Sequence, residues 1–156
     1  LLMNIVENKL RELHITLPAC PTPVAAYLPA VRAGNFVFAS GQTPIVDGEL
    51  LYQGKLGRDL GIEEGYEAAR LAAIRVIAEL KSVVGDLDRI ERIVKVTGYV
   101  NSAPDFGGQP KVINGASELF RNVFGEKGEH ARVAFGTGAL PDNAAVEIDV
   151  IAYVKD

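Results

Sequence analysis

The chain has one cysteine, one methionine, two histidines and no tryptophan in 156 residues. The single cysteine, Cys20, excludes an internal disulfide and any multi-cysteine zinc site, and it fits a reducing cytoplasm. It lies in a Pro-rich loop with no histidine near it in sequence, which does not suit a nucleophile. Asp47, Asp142 and Asp149 fall on separate segments, so no metal-ligand spacing arises and no metal is expected. Positive charge is not in excess: 16 Lys and Arg face 20 Asp and Glu, for a net charge of −4. With no basic stripe, nucleic acid is not the expected partner. No apolar run is fit to cross a membrane, because the uncharged stretch from Ile15 to Val31 contains Pro18, Pro21, Pro23 and Pro29. Charges at Glu7, Lys9, Arg11 and Glu12 occupy the place where a signal peptide needs an apolar core, so a cytoplasmic protein is expected. Gly136-Thr137-Gly138 is not followed by a helix, so it does not read as a phosphate loop.

What is present reads as one globular domain over 1–156: an N-terminal helix and Pro-rich lead-in over 1–23, then a core over 24–156. Ile5, Val6, Leu10 and Leu13 mark a short amphipathic helix over 3–14. From Val24 the pattern becomes extended. Gly34-Asn35 between apolar runs predicts a hairpin, and Pro29 places its first strand at an edge. A short strand or loop is expected around 49–53, after Asp47-Gly48. Tyr66, Ala69, Ala73, Val76, Ile77, Leu80 and Val84 predict a long helix over 62–84, with Gly85 as its stop. Alternation over 90–100 predicts a strand, and Val112, Ala116, Leu119, Phe120 and Val123 predict a second helix over 110–124.

The segment from Ala131 to Tyr153 reads as two strands joined by a turn at Leu140-Pro141-Asp142-Asn143. If the two strands pair about that turn, Arg132 shares a sheet face with Glu147 and Asp149, while Val133 and Phe135 lie with Val146 and Ile148 under the helices. A bulge at Gly136-Thr137-Gly138 would shift that register. Arg132 and Glu147 then form either a solvated salt bridge or a ligand site. His130, two residues from Arg132, is a rim residue of such a site or an ordinary loop histidine. Two helices cover one face of a sheet of five or six strands, so the other face must be wet or covered by another subunit.

Tyr27, Gly34-Asn35, Ser40-Gly41-Gln42-Thr43-Pro44, Asp88-Arg89-Ile90, Asp105-Phe106, Asn114, Ala131-Arg132 and Val146-Glu147-Ile148 occur in an order that resembles the Rid family, also called YjgF-type or L-PSP endoribonuclease-like. The likeness runs from about Ala25 to Lys155. It implies an α+β, chorismate-mutase-like sandwich: a mixed sheet with two main helices on one face, here with an extra N-terminal helix. It implies a homotrimer with pockets between subunits, and hydrolysis of small enamine or imine carboxylates to 2-oxo acids and ammonia without a cofactor. By matching position, Arg132 would hold the substrate carboxylate and Glu147 the attacking water, with Tyr27, Ser40 and Asn114 lining the pocket. A guanidinium suits the first role through two parallel hydrogen bonds, and a carboxylate suits the second by accepting a water proton. The cysteine usual in one branch two residues after the arginine is Ala134 here, which implies a different branch. A non-catalytic trimer binding small metabolites, and a ribonuclease, are the competing readings.

Overall fold

The computed structural model describes residues 4–23 and 25–156. Helix α1 spans Ile5–Glu12 and buries Val6 and Leu10. Its N-cap residue, Asn4, is left-handed and offers no side-chain cap. Two of its orphan amides are met from far along the chain: Asp88 accepts from the N–H of Ile5 at 2.9 Å and of Val6 at 2.8 Å. Asp88 thus ties the N-terminal helix to the body.

Strands β1 (Ala30–Ala33) and β2 (Phe36–Gln42) form the expected hairpin, turning at Gly34 with φ of 62°. The first strand is shorter than its apolar run suggests: 25–27 are a bend, and Val24, where the extended pattern begins, lies outside the described residues. The short strand expected around 49–53 is one arm of a small separate hairpin, β3 (Ile45–Val46) with β4 (Glu49–Leu50). Helix α2 runs over Ile62–Val84, with the Gly61 amide donating to Glu64 Oε1 at 3.0 Å in its first turn. Strand β5 (Ile90–Asn101), helix α3 (Gln109–Phe124), strand β6 (Ala131–Thr137) and strand β7 (Val146–Val154) complete the chain.

The five-stranded sheet has the order β1-β2-β7-β5-β6, with β5 and β6 parallel and the other pairs antiparallel. Both main helices lie on one face. The α2 stripe of Ala68, Ala69, Ala72, Ala73, Val76 and Ile77 is fully buried there. The helices meet at closest approach at Gly115, where a Cβ would fall 2.0 Å from the Tyr66 carbonyl oxygen. Gly98 lets α3 lie on the sheet in the same way: a Cβ there would meet Ile113 at 2.6 Å. Among the described residues no helix is long and apolar enough to cross a membrane.

The expected pairing of the last two strands is not formed. Strand β5 stands between them, and β6 joins the sheet as the parallel partner of β5 after the α3 crossover. The connection at Pro141–Asn143, with Asp142 and Asn143 left-handed, carries the chain past β5 instead of folding β7 back on β6. Burial accounts for this choice. Strand β7 turns Val146, Ile148, Val150, Ala152 and Val154 to the helices, all 0–1% exposed, so it lies centrally between β2 and β5. Strand β6 leaves Val133 and Phe135 more than two-fifths exposed and takes the edge. Its pairing with β5 is regular to Thr137 opposite Asn101, so no bulge forms at 136–138. The irregularities occur in β2 at 39–42 and where β5 meets β7.

Candidate functional site

The strand order redistributes the residues expected to share one site. Val96 pairs with both Arg132 and Val150, so Arg132 points to the helix side of the sheet. Tyr99 pairs with both Phe135 and Glu147, so Glu147 points to the open side. Arg132 and Glu147 therefore lie on opposite faces, and the expectation of a shared face, with Val133 and Phe135 under the helices, is corrected: these two line the open face. A salt bridge between Arg132 and Glu147 is not formed. Two separate polar clusters take its place.

The first cluster surrounds Glu147. The chain bulges at Ser40-Gly41, and this brings the β2 backbone against the carboxylate: a Cβ at Gly41 would fall 2.3 Å from Glu147 Oε2. Only glycine leaves room for that approach. Burial, and then the neighbouring Asp149, push the Glu147 carboxyl above the usual carboxylate range. Asp149 accepts from the Tyr99 hydroxyl at 2.9 Å, and Tyr99 stacks edge-on against Phe135 at 5.2 Å. Burial and the Asp149 contact push the Tyr99 phenol up to about 12. Ser40 belongs to this neighbourhood, but its hydroxyl is taken: it donates to the Leu28 carbonyl at 2.6 Å and so pins the bend that carries Tyr27. Tyr27 itself is about half exposed.

Behind Gly41 the bulge turns Gln42 inward, and its amide donates to Glu79 Oε2 at 2.9 Å. Glu79, on α2, is fully buried and its Oε1 has no partner among the described residues. Burial raises its pKa to about 8, against the opposing pull of Gln42 and Arg75. Arg75, one turn earlier, has a buried Nη1 without a partner among the described residues, and burial lowers its pKa in turn.

The second cluster surrounds Arg132. Its Nη1 donates to Asn114 Oδ1 at 2.8 Å and to Ser117 Oγ at 3.2 Å, both one α3 turn apart. Ser117 Oγ is 2.8 Å from His130 Nε2, and His130 Nδ1 is 2.7 Å from the Gly128 carbonyl. Burial, and then the charge of Arg132, depress the His130 pKa, with the Gly128 bond opposing them. Ser117, Arg121, Glu129, His130 and Arg132 line a pocket of about 290 Å³. Among the described residues no carboxylate lies within ion-pair distance of Arg132, whereas Arg121 is paired with Glu129 at 3.6 Å.

Of the residues expected from sequence, Arg132 and Asn114 come together, and Glu147 meets the Ser40-Gly41 segment. Ala134 faces the helices as part of the core layer. Tyr99, Ser117 and Glu79 were missed. Ser117 was findable as the i+3 neighbour of Asn114 on α3; Tyr99 and Glu79 emerge only from strand order and helix packing. Among the described residues no group of three His, Cys, Asp or Glu could hold a metal.

A family profile described as "YjgF/chorismate_mutase-like, putative endoribonuclease" matches residues 7–154. The chain is 44% identical over 152 residues to Protein TCP17 of Trypanosoma cruzi, covering 97% of this chain and 95% of that one. It is 28% identical to a 2-iminobutanoate/2-iminopropanoate deaminase of Dermatophagoides farinae, covering 90% of this chain and 95% of that one. The crystal structure of the protein Atu1372 of Agrobacterium tumefaciens superposes with a TM-score of 0.91 at 42% identity, covering 97% of this chain and 94% of that one. The βαβ unit that carries Arg132, the central β7 that carries Glu147 and the near end-to-end match together establish that this chain belongs to the YjgF/chorismate mutase-like family.

Proposed function

We propose that this chain hydrolyses small imine or enamine carboxylates to 2-oxo acids and ammonia, in a site completed between copies of itself. The observation that carries the reading is the Arg132 guanidinium, held by a neutral amide and a hydroxyl with no carboxylate among the described residues to neutralise it. A positive fork so held is free to bind an incoming carboxylate with two parallel hydrogen bonds. The likeness to an imine deaminase supports the substrate class.

Glu147 supplies the other half. It accepts a proton from water and orients the oxygen toward the imine carbon; its raised pKa makes it a better base than an exposed carboxylate. Because Arg132 and Glu147 occupy opposite faces, the Arg132 cluster of one copy serves the Glu147 cluster of a neighbour. The open face fits such an assembly: Val31, Phe36, Phe38, Val133, Phe135 and Tyr153 are each more than a third exposed on it. A cyclic homotrimer, with heterologous contacts that close on themselves, gives three equivalent composite pockets.

The test couples purified protein to an amino-acid oxidase or threonine dehydratase and follows ammonia release. Acceleration over buffer that is lost in Arg132→Ala supports the reading. No acceleration across several imines overturns it, and ligand-induced thermal shifts without turnover would identify a binding protein instead.

A further inference from the structure

We propose that Ser117 is an acyl-accepting nucleophile with His130 as its base, in a pocket that takes small activated esters carrying a second, anionic group. This activity goes beyond imine hydrolysis and makes no use of Glu147.

The proton positions follow from the partners. The Gly128 carbonyl can only accept, so His130 Nδ1 carries the hydrogen of the 2.7 Å contact. Nε2 then holds a lone pair, and the Ser117 hydroxyl donates to it at 2.8 Å. Nucleophile, base and a third group that orients the base stand in sequence, with a backbone carbonyl in the place a carboxylate takes in a Ser-His-Asp set. The ring plane is further held by Phe120, edge-on at 6.0 Å. Burial and Arg132 favour the neutral imidazole, which is the form that can take a proton.

Arg132 Nη1 lies 3.2 Å from Ser117 Oγ, so positive charge stands where an attacking or departing oxygen becomes negative. Arg121 lines the same pocket. Arg121 is paired with Glu129, which lines the same pocket, so the charge that selects a short acyl chain ending in a carboxylate, in about 290 Å³, is that of Arg132.

The step balances without a further reactant. Ser117 Oγ adds to the ester carbonyl carbon as its proton passes to His130 Nε2, and the carbonyl electron pair moves onto oxygen beside Arg132. Collapse of that intermediate breaks the carbon–oxygen bond to the leaving group, which departs with the electron pair and, if basic, with the proton from His130. Where the leaving group is weakly basic, His130 gives its proton to solvent; water then adds to the acyl-serine as its proton passes to His130, collapse breaks the bond from the acyl carbon to Ser117 Oγ, which takes that proton, and the acid is released. The sum is ester plus water to acid plus alcohol.

The experiment treats the full chain with p-nitrophenyl acetate and with p-nitrophenyl hydrogen succinate. The expected result is a burst of nitrophenolate, roughly tenfold faster for the succinate ester because its carboxylate meets a guanidinium. Mass spectrometry is expected to place the acyl group on Ser117. Ser117→Ala removes the mark, Ser117→Cys keeps it on the thiol, and His130→Gln slows acylation at least roughly 100-fold. The rate rises with pH as His130 loses its proton and then levels. Melting curves establish that each variant is folded. Absence of the mark on Ser117 in folded wild type, a mark on lysines alone, or an unchanged rate in folded His130→Gln overturns the proposal. Because the assay uses esters, such a failure leaves the imine reading standing.

Discussion

Arg132 and Glu147 lie on consecutive strands of the chain but on opposite faces of the sheet, because β5 separates β6 from β7 and is parallel to one and antiparallel to the other. In the proposed trimer one copy of the chain presents two half-sites, one at Arg132 and one at Glu147.

Arg132→Ala is expected to weaken carboxylate binding by about 1.5–3 kcal/mol, the worth of a charged hydrogen bond, or roughly 10- to 150-fold in Kd. The fold should lose no more than about 1 kcal/mol, because the contacts are partly exposed. Arg132→Lys keeps the charge but not the fork and should recover only part of the affinity. Calorimetry with a 2-oxo acid, set beside melting curves, measures both quantities.

Gly41→Ala places a methyl group where Glu147 Oε2 now lies, 2.3 Å from the new atom. The carboxylate is the mobile end of its side chain and can retreat, so stability should fall by about 1 kcal/mol. Deamination should fall at least roughly tenfold, since moving a base by an ångström misaligns its water. A loss in kcat with little change in KM would place the effect on Glu147 and not on the Arg132 half-site.

A single glutamate at Phe38 or Phe135, both on the open face, should dissociate the proposed trimer, because a charge cannot be buried there without a partner. Sedimentation velocity should show monomer that keeps its helical circular dichroism. Arg132→Ala and Glu147→Gln mixed in one preparation should recover part of the lost activity, because one interface in a mixed trimer joins the intact halves.

Glu79 sets a pH dependence on stability. Its folded pKa of about 8 lies above the ordinary 4.5, so the unfolded chain ionises first as pH rises. The native state holds its full advantage below about pH 4.5 and loses it progressively up to about pH 8. Glu79→Gln should flatten this slope. At pH 8.5 it should stabilise the protein, because an amide has no charge to be desolvated in that buried position. Urea titrations at pH 5, 7 and 8.5 measure the slope.

Local pattern made much of the architecture legible. The stripe from Tyr66 to Val84 defines α2 because an amphipathic period is a property of neighbours in sequence. Gly34 marks the β1–β2 turn because a tight left-handed corner needs a residue without a Cβ. Arg132 was recognisable as a functional candidate from its place on a sheet face, and Asn114 only through the family resemblance. Ser117 and Tyr99 were not, because each gains its partner from another element.

The sequence by itself determined the main elements, their order, and the placement of Arg132 and Glu147 near the end of the chain. It did not determine which strands would be neighbours. Leu140 to Asn143 carries turn-forming residues whether the chain folds back or steps across β5, and that choice rests on burial summed over the whole sheet. Only the tertiary structure decided it: the row from Val146 to Val154 reaches full burial in the centre, the β6 edge is left to Arg132, and the two charges part to opposite faces.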